Sequence, residues 1–350
     1  MTARIKIRGR TIGPGHPVYI VAEISANHRQ NYEEAVRLVR AAKEAEADAV
    51  KLQTLTPDTI TLRSDQEVFR VRGGTLWDGR TLWDLYNEAY MPWDWQPKLM
   101  ALARELGLDL FSSPFDATAV EFLEKMRVPA FKVASFEIVD LPLIRRMART
   151  RKPLIMSTGM ATRKEIVEAL SAARKVGARQ IALMKCNSAY PAPPEEMNLR
   201  TIPAMAEAFR LPIGLSDHSL GTAATIAAVS LGACIIERHL TLSRSVPGPD
   251  SAFSLEPAEF REMVRTIRTV EAAMGSVHYG PTAAEKKSLP FRRSLFIVED
   301  MKAGDKFTEE NVRSIRPANG LPPKSLPRVL GRRAARDIPR GTPLSRDLIR

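Results

Sequence analysis

From residue 18 to about 275, short apolar and β-branched runs alternate with longer stretches whose apolar positions recur at helical spacing. The runs at 18–25, 49–54, 108–113, 130–135, 153–158, 181–186, 213–217 and 234–240 are largely apolar at successive positions. Strands of that kind need cover on both faces, as in a parallel sheet wrapped by helices. Between them, 32–47 places Ala35, Leu38, Val39 and Ala42 at i, i+3, i+4 and i+7, and 119–126, 163–176, 222–231 and 257–274 repeat the pattern. Eight β/α units in about 260 residues predict a (β/α)8 TIM barrel. A doubly wound sheet would carry a Gly-rich phosphate turn after its first strand, and here the first run continues into Ala-Asn-His-Arg-Gln without a glycine.

Two stretches break the rhythm. Residues 55–90 contain Trp77, Trp83, Tyr86 and Tyr90 with Gly73, Gly74 and Gly79. So long a connection is either a lid or substrate wall on the catalytic face, or a packed excursion along the barrel side. The second break begins at Gly280, where helical periodicity stops. The expected organisation is a barrel over 1–280, a linker over 281–290 and a small β-rich module over 291–350 with strands near 294–298 and 312–315. Eight prolines in the last 70 residues leave that module little core of its own.

Composition narrows the class. With 44% hydrophobic and 26% charged residues the chain is not globally disordered. No apolar run approaches the roughly 18 residues that span a bilayer. The first eight residues alternate basic and apolar side chains and lack a signal-peptide core. Cys186 and Cys234 give neither a disulfide framework nor a metal knuckle and read as small core hydrophobes. These features predict a soluble, cytoplasmic protein without a membrane partner.

The net charge is +12, of which +8 falls in 281–350, with 16 Lys and Arg against 8 Asp and Glu. Basic tails bind nucleic acid when they carry a recognition motif. None accompanies this one, and aromatics make up only 6% of the chain. The charge suits an anionic small molecule, or a basic surface without function, better than a nucleic-acid partner.

Active sites of parallel β/α barrels form at the strands' C-terminal ends. Those ends are unusually polar here: Glu23, Ser25, Asn27 and His28; Lys51 and Gln53; Ser112 and Ser113; Lys132, Ser135 and Glu137; Ser157, Thr158 and Gly159; Lys185, Asn187, Ser188 and Tyr190; Ser216, Asp217 and His218; Glu237 and His239. Charged groups are expensive to bury unless paired, so this many at one rim point to a ligand. His218 and His239, on neighbouring strands, form a plausible divalent-metal pair, with carboxylate oxygens and water completing the shell. Lys51 and Lys132, with the hydroxyls of Ser113, Ser135, Ser157 and Ser216, could cradle phosphate and carboxylate. The competing chemistry is a Schiff-base aldolase using one desolvated lysine.

Ordered motifs then give the chain a family likeness. They are Ala22-Glu-Ile-Ser-Ala-Asn-His28, Val50-Lys-Leu-Gln-Thr54, Ser112-Ser-Pro-Phe115, Phe131-Lys-Val-Ala-Ser135 and Ser157-Thr-Gly-Met160. Tyr190-Pro-Ala-Pro193, Gly214-Leu-Ser-Asp-His218, Ile236-Glu-Arg-His239 and Pro247-Gly-Pro-Asp250 follow. Together they resemble the sialic acid (N-acetylneuraminate) synthase family over essentially the whole chain. Arg316-Pro-Ala-Asn-Gly320 and the Pro-rich end resemble that family's antifreeze-like (SAF) domain. The segments 50–62 and 76–79 look most like the branch that makes pseudaminic acid.

The resemblance implies an enzyme that condenses phosphoenolpyruvate with an acetamido sugar, here 2,4-diacetamido-2,4,6-trideoxy-altrose, to a nonulosonic acid and phosphate. It implies phosphoenolpyruvate contacts at Lys51, Lys132, Ser113, Ser135, Ser157 and Ser216, and a divalent ion, manganese or else magnesium or cobalt, on His218 and His239. It places Gln53, Tyr190 and Asp250 at sugar-contacting positions, with Glu23, Glu137 and Glu237 as catalytic acids or bases and Glu23 also near the sugar. Either Ser188 or Asn187 would contact ligand, since relatives that make N-acetylneuraminate carry Asn where this chain has Ser188. Arg316 matches an arginine supplied to a partner's site, implying a domain-swapped homodimer. Other readings are an N-acetylneuraminate, legionaminic acid or spore-coat polysaccharide enzyme, or a non-catalytic glycan-binding protein.

Overall fold

The alternating runs close into a cylinder. In the computed structural model, which describes residues 4–350, eight parallel strands form a closed barrel in chain order: β1 (Tyr19–Glu23), β2 (Ala49–Thr54), β3 (Asp109–Pro114), β4 (Phe131–Val133), β5 (Leu154–Ser157), β6 (Ile181–Cys186), β7 (Ile213–Asp217) and β8 (Ile235–His239). The last strand pairs with the first from Ile235 against Tyr19 to His239 against Glu23. β1 and β4 are shorter than their apolar runs, because Ser25–His28 and Phe136–Val139 turn away as 3-10 helices.

Alternation along each strand sorts two cores. Ile20, Ala22, Val50, Leu52, Val133, Leu183 and Leu215 face outward into the helical layer. Tyr19, Val21, Ala49, Phe111, Ile155, Met184 and Ile235 fill the interior. Ile5, Ile7 and Ile12 join that interior from an N-terminal hairpin, Ile5–Ile7 against Arg10–Ile12. The basic and apolar alternation at the N-terminus is therefore a strand pattern that plugs the barrel where its strands begin. Gly214 lets β7 and β8 approach: a Cβ there would lie 2.5 Å from the Ile235 carbonyl oxygen.

The expected helices occur as Tyr32–Glu44, Ala117–Lys125, Arg163–Lys175, Ala223–Ser230 and Pro257–Met274. Asn31 caps the first through the Glu34 amide, and Thr162 with Glu165 forms a capping box on the third. Trp95–Glu105, Leu141–Arg149 and Thr201–Phe209 complete the outer layer.

Residues 276–350 form a second compact unit. Ser294–Ile297 pairs antiparallel with Val312–Ile315, over a core that includes Leu295, Ile297, Phe307, Val312, Ile338 and Leu344. The segment expected as linker carries a 3-10 turn, Glu285–Phe291. Arg316 follows the second strand on an exposed turn, before a cis Pro317.

Candidate active site

Period-two alternation carries the interior face of each strand to the C-terminal rim. Glu23, Lys51, Ser113, Lys132, Ser157, Cys186, Ser216, His218, Glu237 and His239 continue the interior rows. Asp217 and Lys185, counted with the rim in the sequence, belong to the outward rows instead. Asp217 is fully buried in an ion pair with Arg238, 2.8 Å apart, and accepts hydrogen bonds from Ser219 and Thr225.

Lys51 stands between two carboxylates. Its Nζ lies 2.7 Å from Glu23 Oε2 and 2.9 Å from Glu237 Oε1. Glu237 Oε1 also accepts from Ser216 Oγ at 3.0 Å and lies 3.6 Å from Lys132 Nζ, which donates to Ser157 Oγ at 2.6 Å. All six side chains are buried. Burial opposes the charge on Lys51, but Glu23 and Glu237 outweigh it and its pKa is raised. Burial alone would raise Glu237, yet Lys132 and Lys51 hold it at about 2. For Glu23 burial prevails over Lys51, and its carboxyl is pushed up to about 6. Desolvation lowers Lys132. The cluster thus keeps Lys51 charged against an ionised Glu237, and sets Glu23 to change protonation near neutrality.

Several buried polar atoms around this rim have no hydrogen-bond partner: Ser113 Oγ, Glu137 Oε2, Glu237 Oε2 and His239 Nδ1. Orphaned buried groups are costly, and their convergence at a barrel mouth fits a polar ligand. Gly159 makes room for two of the rim hydroxyls. A Cβ at that position would meet Ser188 Oγ at 2.3 Å and Ser135 Oγ at 2.7 Å. The same contacts turn Ser188 toward the rim, whereas Asn187 spends its side chain on the Ala189 amide and the Glu196 carbonyl. Glu137, on the turn after β4, is raised to about 7 by burial.

The two imidazoles meet edge to face, with ring centres 5.3 Å apart. His218 Nδ1 lies 2.8 Å from the Asn187 carbonyl oxygen, which fixes the proton there and leaves Nε2 as the free donor to a metal. Burial, followed by the charge of His218, lowers His239 well below the ordinary imidazole range, so its ring is neutral. Burial opposes the charge on His218, but Cys186 and the Asn187 carbonyl outweigh it and raise its pKa, so a borderline divalent ion would bind in place of that proton. Among the described residues no group of three His, Cys, Asp or Glu side chains forms a ready metal cage. Asp250 Oδ2 comes only to 3.9 Å from His239 Nδ1 and is engaged by Ser25, whose hydroxyl also accepts from Gln53 Nε2 at 3.0 Å.

Aromatic rings wall the mouth. Tyr190 lies 4.3 Å from His218 and 5.2 Å from Phe253, centre to centre. Trp77 stacks obliquely on Tyr190 at 5.6 Å and donates its indole N–H to the Pro249 carbonyl at 3.0 Å. The 55–90 connection therefore closes over the rim and is a site wall. Its tip is held by Asp78, which accepts from the Gly74 and Thr75 amides at 2.8 Å each. Sequence patterning counted Ser25 with the rim and Trp77 with the long connection, but did not single out Phe253. Cys186, expected as core filler, is buried with its Sγ 3.9 Å from His218 Nδ1.

A closed parallel barrel with lysines, carboxylates and paired imidazoles at its catalytic rim defines an enzyme of the β/α-barrel class. The chain belongs to the NeuB family, which it matches over residues 38–279, and it carries a SAF domain over 292–350. It is 44% identical over 333 residues to the pseudaminic acid synthase of Helicobacter pylori, spanning 95% of this chain and 97% of that one. It is 32% identical to the N,N'-diacetyllegionaminic acid synthase of Legionella pneumophila over 98% of both chains. Its fold matches the crystal structure of the spore coat polysaccharide biosynthesis protein spsE of Bacillus subtilis with a TM-score of 0.68, at 36% identity and 99% coverage of both chains. The likeness drawn from the motifs is borne out, as is the barrel followed by an antifreeze-like domain. Among the described residues, no helix is long and apolar enough to cross a membrane.

Proposed function

We propose that this enzyme condenses phosphoenolpyruvate with 2,4-diacetamido-2,4,6-trideoxy-altrose and water, giving pseudaminic acid and phosphate. The observation that carries the reading is the buried Lys51–Glu237–Lys132 cluster beside unpartnered hydroxyl and carboxylate oxygens, in a chain 44% identical to a pseudaminic acid synthase. Lys51 and Lys132 would bind the enolpyruvyl carboxylate and the phosphate, with Ser113, Ser135, Ser157 and Ser216 donating hydrogen bonds. Gln53, Ser188, Tyr190 and Asp250 would hold the open-chain sugar so that its aldehyde carbon faces C3 of phosphoenolpyruvate.

The C–C bond forms as the enol π-electrons attack the aldehyde carbon, leaving cationic character at C2. Water adds there, and the tetrahedral phosphate collapses by C–O cleavage. Glu23, poised at about 6, would take the proton from that water. Glu137 would handle the proton of the developing sugar hydroxyl, while Glu237 keeps both lysines oriented. His218 and His239 would hold a divalent cation, manganese in our reading, with water or substrate oxygens as remaining ligands. What such an ion supplies when bound is Lewis acidity toward the aldehyde oxygen.

Phosphoenolpyruvate chemistry would place the enzyme in the cytoplasm. We also propose a homodimer in which the SAF domain of each chain brings Arg316 to the other's barrel. Phe136, Val139, Met160 and Leu220, each more than half exposed on loops that follow barrel strands, form an apolar fringe around the rim that a partner would cover.

A substrate panel tests the reading. Phosphate release from phosphoenolpyruvate is followed with the altrose derivative, its legionaminic-type diacetamido counterpart and N-acetylmannosamine. We expect the altrose derivative to give the highest kcat/KM. Preference for another sugar transfers the same chemistry to a different product, and release with none of them refutes it.

A further inference from the structure

At the opposite end of the barrel, a cavity of about 220 Å³ is lined by Arg8, Arg104, Arg127 and Lys152 over Met100, Leu110, Val128 and Pro129. These cations come from separate parts of the chain. Arg8 lies on the N-terminal hairpin turn, Arg104 in the last turn of Trp95–Glu105, Arg127 just after Ala117–Lys125, and Lys152 just before β5. Helix C-termini attract cations without any ligand, because their carbonyls point outward. Two of the cations meet backbone just past those ends: Lys152 Nζ donates to the Val128 carbonyl at 2.7 Å, and Arg8 donates to Leu108 and lies 3.5 Å from Asp109.

That attraction does not account for the missing acids. Elsewhere on this face arginines meet carboxylates: Arg10 pairs with Asp48, Arg265 with Glu46, and Arg268 with Asp48 and Glu271. Among the described residues, Arg104, Arg127 and Lys152 have no carboxylate within ion-pair distance. Arg127 also occupies left-handed backbone, φ 58°, a conformation that favours Gly or Asn at a helix end.

We infer that this cavity is a second anion site, taking a small phosphorylated organic molecule away from the catalytic rim. Guanidinium forks match phosphate oxygens pairwise, and a cavity of about 220 Å³ with Pro129 at its edge has room for more than a bare inorganic ion. The site stands at the strand beginnings, whereas Lys51 and Lys132 stand near the strand ends, so one molecule cannot occupy both. The inference does not rest on the proposed reaction.

The probe is phenyl phosphate, titrated by calorimetry into the wild type and into R104E/R127E, with R104Q/R127Q as a milder pair. Both arginines are exposed and outside the catalytic site, so kcat/KM reports intact folding. The wild type should bind it at this cavity, whether or not the rim adds a further class of site. The charge-reversed pair should lose this class, weakened at least tenfold, while melting temperature and any kcat/KM are kept, and the glutamine pair should lose affinity in the same class. Inorganic phosphate should bind that class more weakly than phenyl phosphate. Identical isotherms for the wild type and both pairs would overturn the inference, as would a lost class that prefers inorganic phosphate.

Discussion

Arg238 and Asp217 pair at 2.8 Å on the outer faces of neighbouring strands, in register with each other and almost wholly buried. The pair precedes His239 in one strand and His218 in the next, so it fixes the strands that present both imidazoles. Removing one partner of a buried pair typically costs about 3–5 kcal/mol, because the other charge is stranded. D217N should therefore lower stability by that order in chemical denaturation, and R238M likewise. The double variant D217L/R238M should regain much of the stability but not the activity, because the strand positions are no longer set by the pair.

Under the proposed reaction, Glu23 should set the acid limb of the pH profile. With its carboxyl at about 6 and its ionised form acting as base, kcat/KM should fall tenfold per pH unit below that value. E23Q should lose this limb and lower kcat by about 10²–10⁴, the usual worth of a general base. A limb that persists unchanged in E23Q assigns it to another group.

Glu137 links the site to stability. Burial raises its folded pKa to about 7, above its ordinary 4.5, so the folded state holds a proton that the unfolded chain releases. Its contribution is fully present below pH 4.5 and declines as pH rises through 7. Melting temperature measured across that window should decline less steeply for E137Q than for the wild type. Parallel curves would show that Glu137 does not titrate as its burial implies.

Trp77 joins the 55–90 wall to Tyr190 and to the loop that carries Asp250. W77A should raise KM for the sugar about tenfold, the order expected when a half-buried aromatic contact is removed. KM for phosphoenolpyruvate should stay within twofold. Equal changes in both constants would mean that the wall supports the whole site rather than the sugar.

The barrel was legible because period-two and helical patterns are written in apolar residues, and the polar rim because burying Glu, Lys and His needs a reason. The N-terminal hairpin was not, since Ile5, Ile7 and Ile12 are too few to establish a period without the barrel they plug. Asp217 was misassigned to the rim for a related reason: a one-residue difference along a strand reverses its face. The position of Trp77 over Tyr190 depends on how a long loop folds back, which neither spacing nor composition encodes. Nor did the sequence show that Ser188 Oγ stands over Gly159 while Asn187 turns to the Glu196 carbonyl, since both lie on one loop.

The central claim is that the lysine-lined rim breaks the C–O bond of phosphoenolpyruvate while joining it to an acetamido sugar. Phosphoenolpyruvate carrying ¹⁸O in its bridging position, turned over with the altrose derivative, tests it directly by mass spectrometry of the released phosphate. The label should leave in phosphate, with formation of the nine-carbon acid. Label retained in the organic product, or phosphate released at the same rate without sugar, would contradict the account.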